Sequence, residues 1–157
     1  MKFYILAVGR GMPAPIRDLV VDYQKRLERL APVELIEVAE TRRDPMQKGD
    51  LRALAQEGER LRRLLPKGAM MVPLASNGRT FSSMELANEV RRMREEATRE
   101  VFFVIGGPDG LDQTLLAMGS WRLSLGAMTF PHMLVRVMLL EQLYRAMTIL
   151  GGIPYHR

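Results

Sequence analysis

Two histidines, His132 and His156, are the side chains of this sequence whose ordinary pKa lies closest to neutral pH. Either imidazole could accept a proton from a substrate, so both are candidates for a general base. The sequence holds no cysteine, which excludes thiolate chemistry and disulfide bonds. A zinc site would need carboxylates to complete its ligands beside two histidines, so no metal is expected.

The segment VFFVIGGPDG, residues 101–110, joins five apolar residues to a glycine-rich turn. A dinucleotide-binding loop would need the order Gly-x-Gly-x-x-Gly and an acidic residue about 20 positions later, and both are missing. A P-loop needs Gly-Lys-Ser/Thr, but no lysine follows Lys67. Pro108 suits the second position of a β-turn and Gly110 the fourth. The segment by itself predicts a tight turn and leaves open whether a ligand lies against it.

The net charge of +5 comes from 23 basic and 18 acidic residues, and most of the basic ones are arginine. Arginine presents a planar set of donors that suits phosphate, so a nucleic-acid partner is consistent with this charge. A host with arginine-rich codons would give the same composition. No apolar run reaches the about 18 residues of a membrane helix, and MKFYILAVGRGMP resembles a first strand more than a signal peptide. We therefore expect a cytoplasmic protein without a membrane partner.

Strands and helices that could position these groups alternate along the sequence. A length of 157 residues fits one domain, residues 1–157. The alternation predicts an α/β fold with a mostly parallel sheet and helices on both faces. Residues 101–105 are apolar on both faces and are expected to form a central strand. The predicted strands are 3–8, 33–38, 69–74, 101–105 and 121–125, and the predicted helices lie within 16–30, 51–65, 82–93, 112–118 and 131–150.

The connections carry recognisable signals as well. Ser82 and Glu85 have the spacing of a capping box, which predicts a helix start. The segment SNGR, residues 76–79, is expected to be a turn before that helix. The segment ETRRDPMQKGD, residues 40–50, is expected to be a charged loop.

The last predicted helix, about residues 131–150, is apolar on most sides. His132 and Arg136 lie one turn apart on it, whereas Arg145 lies on nearly the opposite side. A helix with so little polar surface is usually buried on most sides, which is hard to arrange within one small domain. A second copy of the chain is the natural cover, so the sequence predicts a homodimer.

Five segments, in order, resemble the RlmH family of bacterial SPOUT-class methyltransferases that act on ribosomal RNA. The segments are MKFYILAVGRGMP, VFFVIGGPDGL, LSLGAMTFPH, LVRVMLLEQLYRA and PYHR. The resemblance covers essentially the whole chain. It implies a SPOUT-type α/β fold with a C-terminal trefoil knot, a feature that periodicity could not indicate because unknotted connections are the default.

The resemblance also implies S-adenosylmethionine as the cofactor. Its adenine could be held by backbone groups between apolar side chains, and glycines would let the backbone approach closely. Without the resemblance, LGAMTF would be interpreted as an ordinary loop before a helix. The implied cofactor-binding residues are Leu74, Gly106, Gly107, Leu125, Gly126, Ala127, Met128, Thr129 and Phe130.

The reaction that the resemblance implies is methylation of N3 of a pseudouridine in 23S rRNA. The protein would align the nitrogen with the methyl group and remove the N3 proton. We expect His132, at the helix start, and His156, on the tail, to face the target nucleotide. Arg145 is the third predicted catalytic residue, although its spacing from Glu141 fits a structural ion pair equally well.

RNA contacts are expected from Arg136, Tyr155 and Arg157, because arginine binds phosphate and tyrosine stacks on unpaired bases. A terminal YHR is otherwise typical of a frayed end. The sequence indicates no separate RNA-binding domain, so the expected substrate is rRNA within an assembled ribosomal particle.

Three other functions remain open at this point. The chain could be a non-catalytic RNA- or ribosome-binding protein of the same fold. It could be a SPOUT methyltransferase that acts on another RNA, such as tRNA. A nucleotide-dependent enzyme of the ordinary Rossmann type is disfavoured by the missing acidic residue and the missing lysine.

Overall fold

A computed structural model describes residues 1–43 and 49–157 of the chain, so part of the predicted charged loop lies outside the described residues. Strands and helices alternate, as predicted. The strands are β1 (Lys2–Val8), β2 (Val33–Val38), β3 (Met70–Thr80), β4 (Glu100–Ile105) and β5 (Leu123–Ser124). The helices are α1 (Ala14–Glu28), α2 (Leu51–Arg62), α3 (Ser83–Glu95), α4 (Gln113–Met118) and α5 (His132–Leu150).

The five strands form a parallel sheet in the order β2-β1-β4-β3-β5. The central strand is β4, which pairs with β1 on one side and with β3 on the other. Residues 101–105 of this strand are all buried. Both the parallel sheet and the central position of residues 101–105 are therefore confirmed.

Helices cover both faces of the sheet. Successive residues of a strand point to opposite faces, so each strand contributes side chains to two cores. On one face, Phe3 and Phe103 belong to a core that includes residues of α1, α3 and α5. On the other face, Leu6 and Val104 pack with residues of α2 and α4. Burial of each large apolar side chain contributes about 1.5–3 kcal/mol to stability. The two cores fix the sheet from which the functional loops extend.

The start of α3 follows the predicted capping box. The Glu85 backbone N–H donates to the Ser82 hydroxyl at 3.2 Å, and the Ser82 N–H donates to the Glu85 carboxylate at 2.7 Å. This reciprocal pair satisfies the backbone N–H groups of Ser82 and Glu85 at the start of α3.

The turn predicted at residues 76–79 is wrong, because β3 continues to Thr80. The far part of β3 pairs with β5 after a register shift between Leu74 and Arg79. Gly78 permits this close pairing, since a Cβ there would lie 2.7 Å from the carbonyl carbon of Leu123. β5 is also shorter than predicted. The trefoil knot implied by the resemblance stays a prediction.

Candidate active site

A cavity of about 300 Å³ lies where β3 and β4 end their pairing. Pro73 pairs with Val104, so the residues that follow each of them emerge at the same edge of the sheet. Parallel sheets bind ligands at the carboxyl ends of their strands, where the loops diverge. The lining comes from residues 74–76, from residues 105–110 and from most of residues 123–130.

The cavity collects nearly all of the residues predicted to bind the cofactor. Ala127 is exposed and is the one predicted residue that does not line it. That these residues bind a cofactor stays a prediction, but the structure brings them to one place. The predicted residues that line the cavity are Leu74, Gly106, Gly107, Leu125, Gly126, Met128, Thr129 and Phe130.

The glycine turn after β4 has the geometry that its sequence predicts. The Gly110 N–H donates to the Gly107 carbonyl at 3.0 Å, with Pro108 at the second position of the turn. Gly110 has a φ of 82°, a conformation that favours glycine. A Cβ on Gly106 would lie 2.2 Å from the Gly110 carbonyl oxygen, so a side chain there could not fit. Gly106 and Gly107 thus present bare backbone to the cavity.

A buried hydroxyl fixes the loop on the opposite wall. The Ser124 Oγ lies 3.3 Å from the Ser76 carbonyl and 3.1 Å from the Gly126 carbonyl, and it accepts from the Gly126 N–H at 3.2 Å. These bonds join the loop after β5 to the far part of β3. No sequence signal points to this role, because a serine between two leucines has no distinctive pattern.

His132 is the first residue of α5 and lines the same cavity. Its Nε2 is buried and has no hydrogen-bond partner among residues 1–43 and 49–157. Burial lowers the pKa of His132 below its usual 6.5, and the nearby positive charge of Arg136 lowers it further. The imidazole is therefore neutral at pH 7, which is the form that accepts a proton.

Arg136 is a structural residue, so the prediction that it contacts RNA is wrong. Its side chain is fully buried, and Nη2 donates to the carbonyls of Val8 at 2.7 Å and Gly9 at 2.9 Å. Nη1 forms an ion pair with Glu37. These bonds tie the start of α5 to the ends of β1 and β2 and leave the guanidinium inaccessible to RNA.

The tail after α5 folds back onto the end of that helix. Arg145 donates to the Glu141 carboxylate at 3.0 Å, and the Tyr155 hydroxyl donates to the same oxygen at 3.0 Å. The Arg145 guanidinium lies 4.6 Å from the centre of the Tyr155 ring, and its Nη1 lies 3.5 Å from His156 Nδ1. The ion pair considered from sequence is thus present, and it gathers three predicted site residues. Arg157 is exposed at the chain end.

α5 holds the tail cluster away from the cavity within one chain. Arg145 follows His132 by 13 residues, 145 − 132 = 13. A helix rises about 1.5 Å per residue, so the two positions are about 20 Å apart along the axis. At about 100° per residue, they also point to nearly opposite sides. The predicted catalytic residues therefore form two groups, which one chain does not bring together.

An ion triad that the sequence analysis missed lies beside the glycine turn. Arg43 donates to Glu57 at 2.6 Å and to Asp109 at 2.8 Å, so it joins residues from three separate segments. Glu57 is 2% exposed and also accepts from the Thr41 N–H at 2.8 Å. No sequence signal points to this triad, because the burial of a charged side chain depends on tertiary partners.

A larger cavity of about 630 Å³ shares residues 123–126 with the first. Its wall is mainly apolar and includes Tyr23 of α1, Leu86 of α3 and Met138 of α5. It lacks both the glycine turn and His132, so the groups that could do chemistry converge on the smaller cavity. Glu141, which orders the tail, lines this second cavity.

The described parts of the chain contain neither a candidate metal site nor a helix that could span a membrane. Within residues 1–43 and 49–157, no group of three or more His, Asp or Glu side chains could hold a metal ion. No helix in the same ranges is long and apolar enough to cross a membrane.

The parallel sheet, the glycine turn after its central strand and the loop that leads into α5 define a class of protein. The chain belongs to the SPOUT methyltransferase family, whose model, described as "Predicted SPOUT methyltransferase", matches residues 1–156. Within this class, the chain is 46% identical to the "Ribosomal RNA large subunit methyltransferase H" of Magnetococcus marinus, over 99% of both chains. It is 43% identical to the protein of that name from Dinoroseobacter shibae, over 100% of this chain and 99% of the relative.

Solved structures show a similar fold at low sequence identity. A probable methyltransferase from Bordetella pertussis Tohama I gives a TM-score of 0.54 at 15% identity, over 93% of this chain and 95% of that chain. A probable methylase family protein from Haemophilus influenzae Rd KW20 gives 0.52 at 10% identity, over 99% of this chain and 70% of that chain. The predicted family and α/β fold class are confirmed.

Proposed function

We propose that this chain is an S-adenosylmethionine-dependent methyltransferase of large-subunit ribosomal RNA, and that it modifies N3 of a pseudouridine in 23S rRNA. One observation carries the proposal. The chain is similar over essentially its whole length to relatives named for large-subunit rRNA methylation, at up to 46% identity. The cavity at the carboxyl ends of β3 and β4 supplies the place for the reaction.

The lining of this cavity suits S-adenosylmethionine. Leu74, Leu125 and Phe130 offer apolar walls for an adenine ring, and the glycine turn offers backbone N–H and carbonyl groups. No lysine or arginine lines the cavity in the described residues, which fits a ligand that has no phosphate. When bound, this cofactor supplies a methyl group on a positively charged sulfur.

The chain itself must align the target nitrogen and take its proton, because N3 of a pseudouridine carries hydrogen at neutral pH. His132 lines the cavity with its imidazole, and the buried Nε2 has no hydrogen-bond partner among the described residues. It is our candidate for the general base, with a contribution of about 10²-fold or more to the rate. Alignment in the cavity supplies the remaining acceleration.

A second copy of the chain would complete the site. Arg145, Tyr155 and His156 form one cluster, but Arg145 lies about 20 Å along α5 from His132 of its own chain. In a two-fold homodimer, the cluster of one copy can serve the cavity of the other. The apolar cavity between α1, α3 and α5 is a surface for such a contact. Arg145 and Arg157 would then bind phosphate, and Tyr155 would stack on a base.

A methylation assay tests this function. Ribosomes from cells without this activity are incubated with the protein and labelled S-adenosylmethionine, and the modified nucleosides are mapped by mass spectrometry. We expect label in a methylated pseudouridine of the large-subunit rRNA. Label in tRNA would favour the alternative substrate, and calorimetry without any heat of cofactor binding would favour a non-catalytic binding protein.

A further inference from the structure

Asp109 is the one residue lining the cavity that carries a formal charge at neutral pH, within the described residues. Its Oδ2 accepts from Arg43 Nη1 at 2.8 Å, and Arg43 Nη2 donates to Glu57 at 2.6 Å. The side chains of Asp109, Arg43 and Glu57 are 18%, 10% and 3% exposed. The three therefore form a largely buried ion triad behind one wall of the cavity.

The triad carries an excess of one negative charge, because two carboxylates share a single guanidinium. The Glu57 Oε2 has no hydrogen-bond partner in residues 1–43 and 49–157. It lies 3.5 Å from the position of a Cβ on Gly107, which itself lines the cavity. Arg136, another buried cation, is paired with Glu37. The excess charge thus lies close to the ligand space. The low local dielectric there strengthens its electrostatic attraction for a cation.

We propose that the triad of Arg43, Glu57 and Asp109 makes the cavity select the positively charged methyl donor over its product, which has no net charge. S-adenosylmethionine carries one positive charge more than S-adenosylhomocysteine, because its sulfur is a sulfonium. The excess negative charge attracts the donor, and this attraction ends when the methyl group has left. The inference rests on the proposed binding of the cofactor in this cavity.

The test compares the two ligands by isothermal titration calorimetry. In the variant Asp109→Asn, we expect the Kd for S-adenosylmethionine to rise about fivefold to tenfold. The Kd for S-adenosylhomocysteine should change less than twofold. Glu57→Gln should shift the ratio of the two Kd values in the same direction. Cooperative thermal unfolding confirms that each variant is folded, and Glu57→Gln decides if Asp109→Asn fails to fold.

A matched control and an opposite variant sharpen the test. Glu59 lies on the same helix as Glu57 but forms its ion pairs at the surface, so Glu59→Gln should leave both Kd values within twofold. Arg43→Gln raises the excess charge of the triad. We expect it to increase the preference for S-adenosylmethionine, even where both affinities fall because the glycine turn loses an anchor.

Two results would overturn the inference, and they are distinguishable. If Asp109→Asn and Arg43→Gln weaken both ligands by the same factor, the triad only anchors the turn and does not recognise charge. If the unmodified protein binds neither ligand, the proposed binding of the cofactor in this cavity is wrong, and so is the proposed selectivity. A ratio that moves in opposite directions in these two variants supports charge recognition.

Discussion

The two ends of α5 carry arginines in very different settings. Arg136, near the start, is fully buried and bonded to the end of β1 and to Glu37. Arg145, near the other end, keeps 24% of its side chain exposed and pairs with Glu141 on its own helix. The first arginine locks the helix to the sheet, and the second belongs to a cluster at the surface. The comparison teaches that one helix can fix a cavity at one end and hold a partly exposed cluster of charged and aromatic side chains at the other.

The largest difference is expected in stability. Arg136→Met would leave two carbonyls and the Glu37 carboxylate without their partner, so we expect the free energy of unfolding to fall by about 3–5 kcal/mol. Arg145→Met removes a partly exposed pair and should cost about 1 kcal/mol or less. Urea denaturation measures both. Equal losses would contradict the distinction between the two ends.

The methylation rate, in contrast to stability, should depend strongly on the Arg145 end of α5. Arg145→Ala removes a charged contact proposed for the substrate, and we expect the methylation rate to fall about 100-fold. Arg91→Ala, which changes an exposed arginine of α3, is the control and should stay within twofold of the parent. A parental rate in Arg145→Ala would remove the tail cluster from the mechanism.

The end of α5 that lines the cavity can be tested through the pH dependence of methylation. A protonated imidazole cannot accept a proton, and the pKa of His132 lies below 6.5. We therefore expect kcat/KM to be constant at pH values well above that lowered pKa and to decline as the pH falls through it. His132→Ala should reduce the rate about 100-fold and abolish this decline. An unchanged acid limb in the variant would assign the base elsewhere.

The smallest expected effect concerns the form of the RNA substrate. We expect methylation of assembled ribosomes to be about tenfold faster than methylation of a protein-free rRNA fragment, because a folded particle presents the target loop already ordered. Initial rates with labelled cofactor measure this ratio. Equal rates on both substrates would show that the enzyme needs only the RNA.

Much of the fold follows from local signals in the sequence. The apolar run at residues 101–105 predicted the central strand, and Ser82 with Glu85 predicted the start of α3. The extension of β3 could not be predicted in this way, because SNGR has the composition of a turn. Its strand conformation depends on β5, which lies more than 40 residues later in the chain.

The candidate site was predictable in part. Segments that the resemblance assigned to the cofactor meet in one cavity, and the turn from Gly107 to Gly110 has the expected geometry. The helical wheel placed His132 and Arg136 on one face but could not show that Arg136 turns inward to backbone carbonyls. Burial of a charged side chain depends on tertiary partners that periodicity does not reveal.

The ion triad had no sequence signal of its own. Arg43, Glu57 and Asp109 come from a loop, a helix and a turn, and no fixed spacing joins them. Each residue type is common on protein surfaces, so only the folded chain shows that the three are buried together.

The central claim is that the cavity of one copy and the tail cluster of another form one active site. Mixed dimers of His132→Ala and Arg145→Ala test it most directly, because each mixed dimer would contain one site with both residues intact. The account predicts that the refolded equal mixture recovers about a quarter of the parental methylation rate, although each variant alone is nearly inactive. No recovery, with mixed dimers verified by native mass spectrometry, would show that both residues must act in the same chain and would contradict the account.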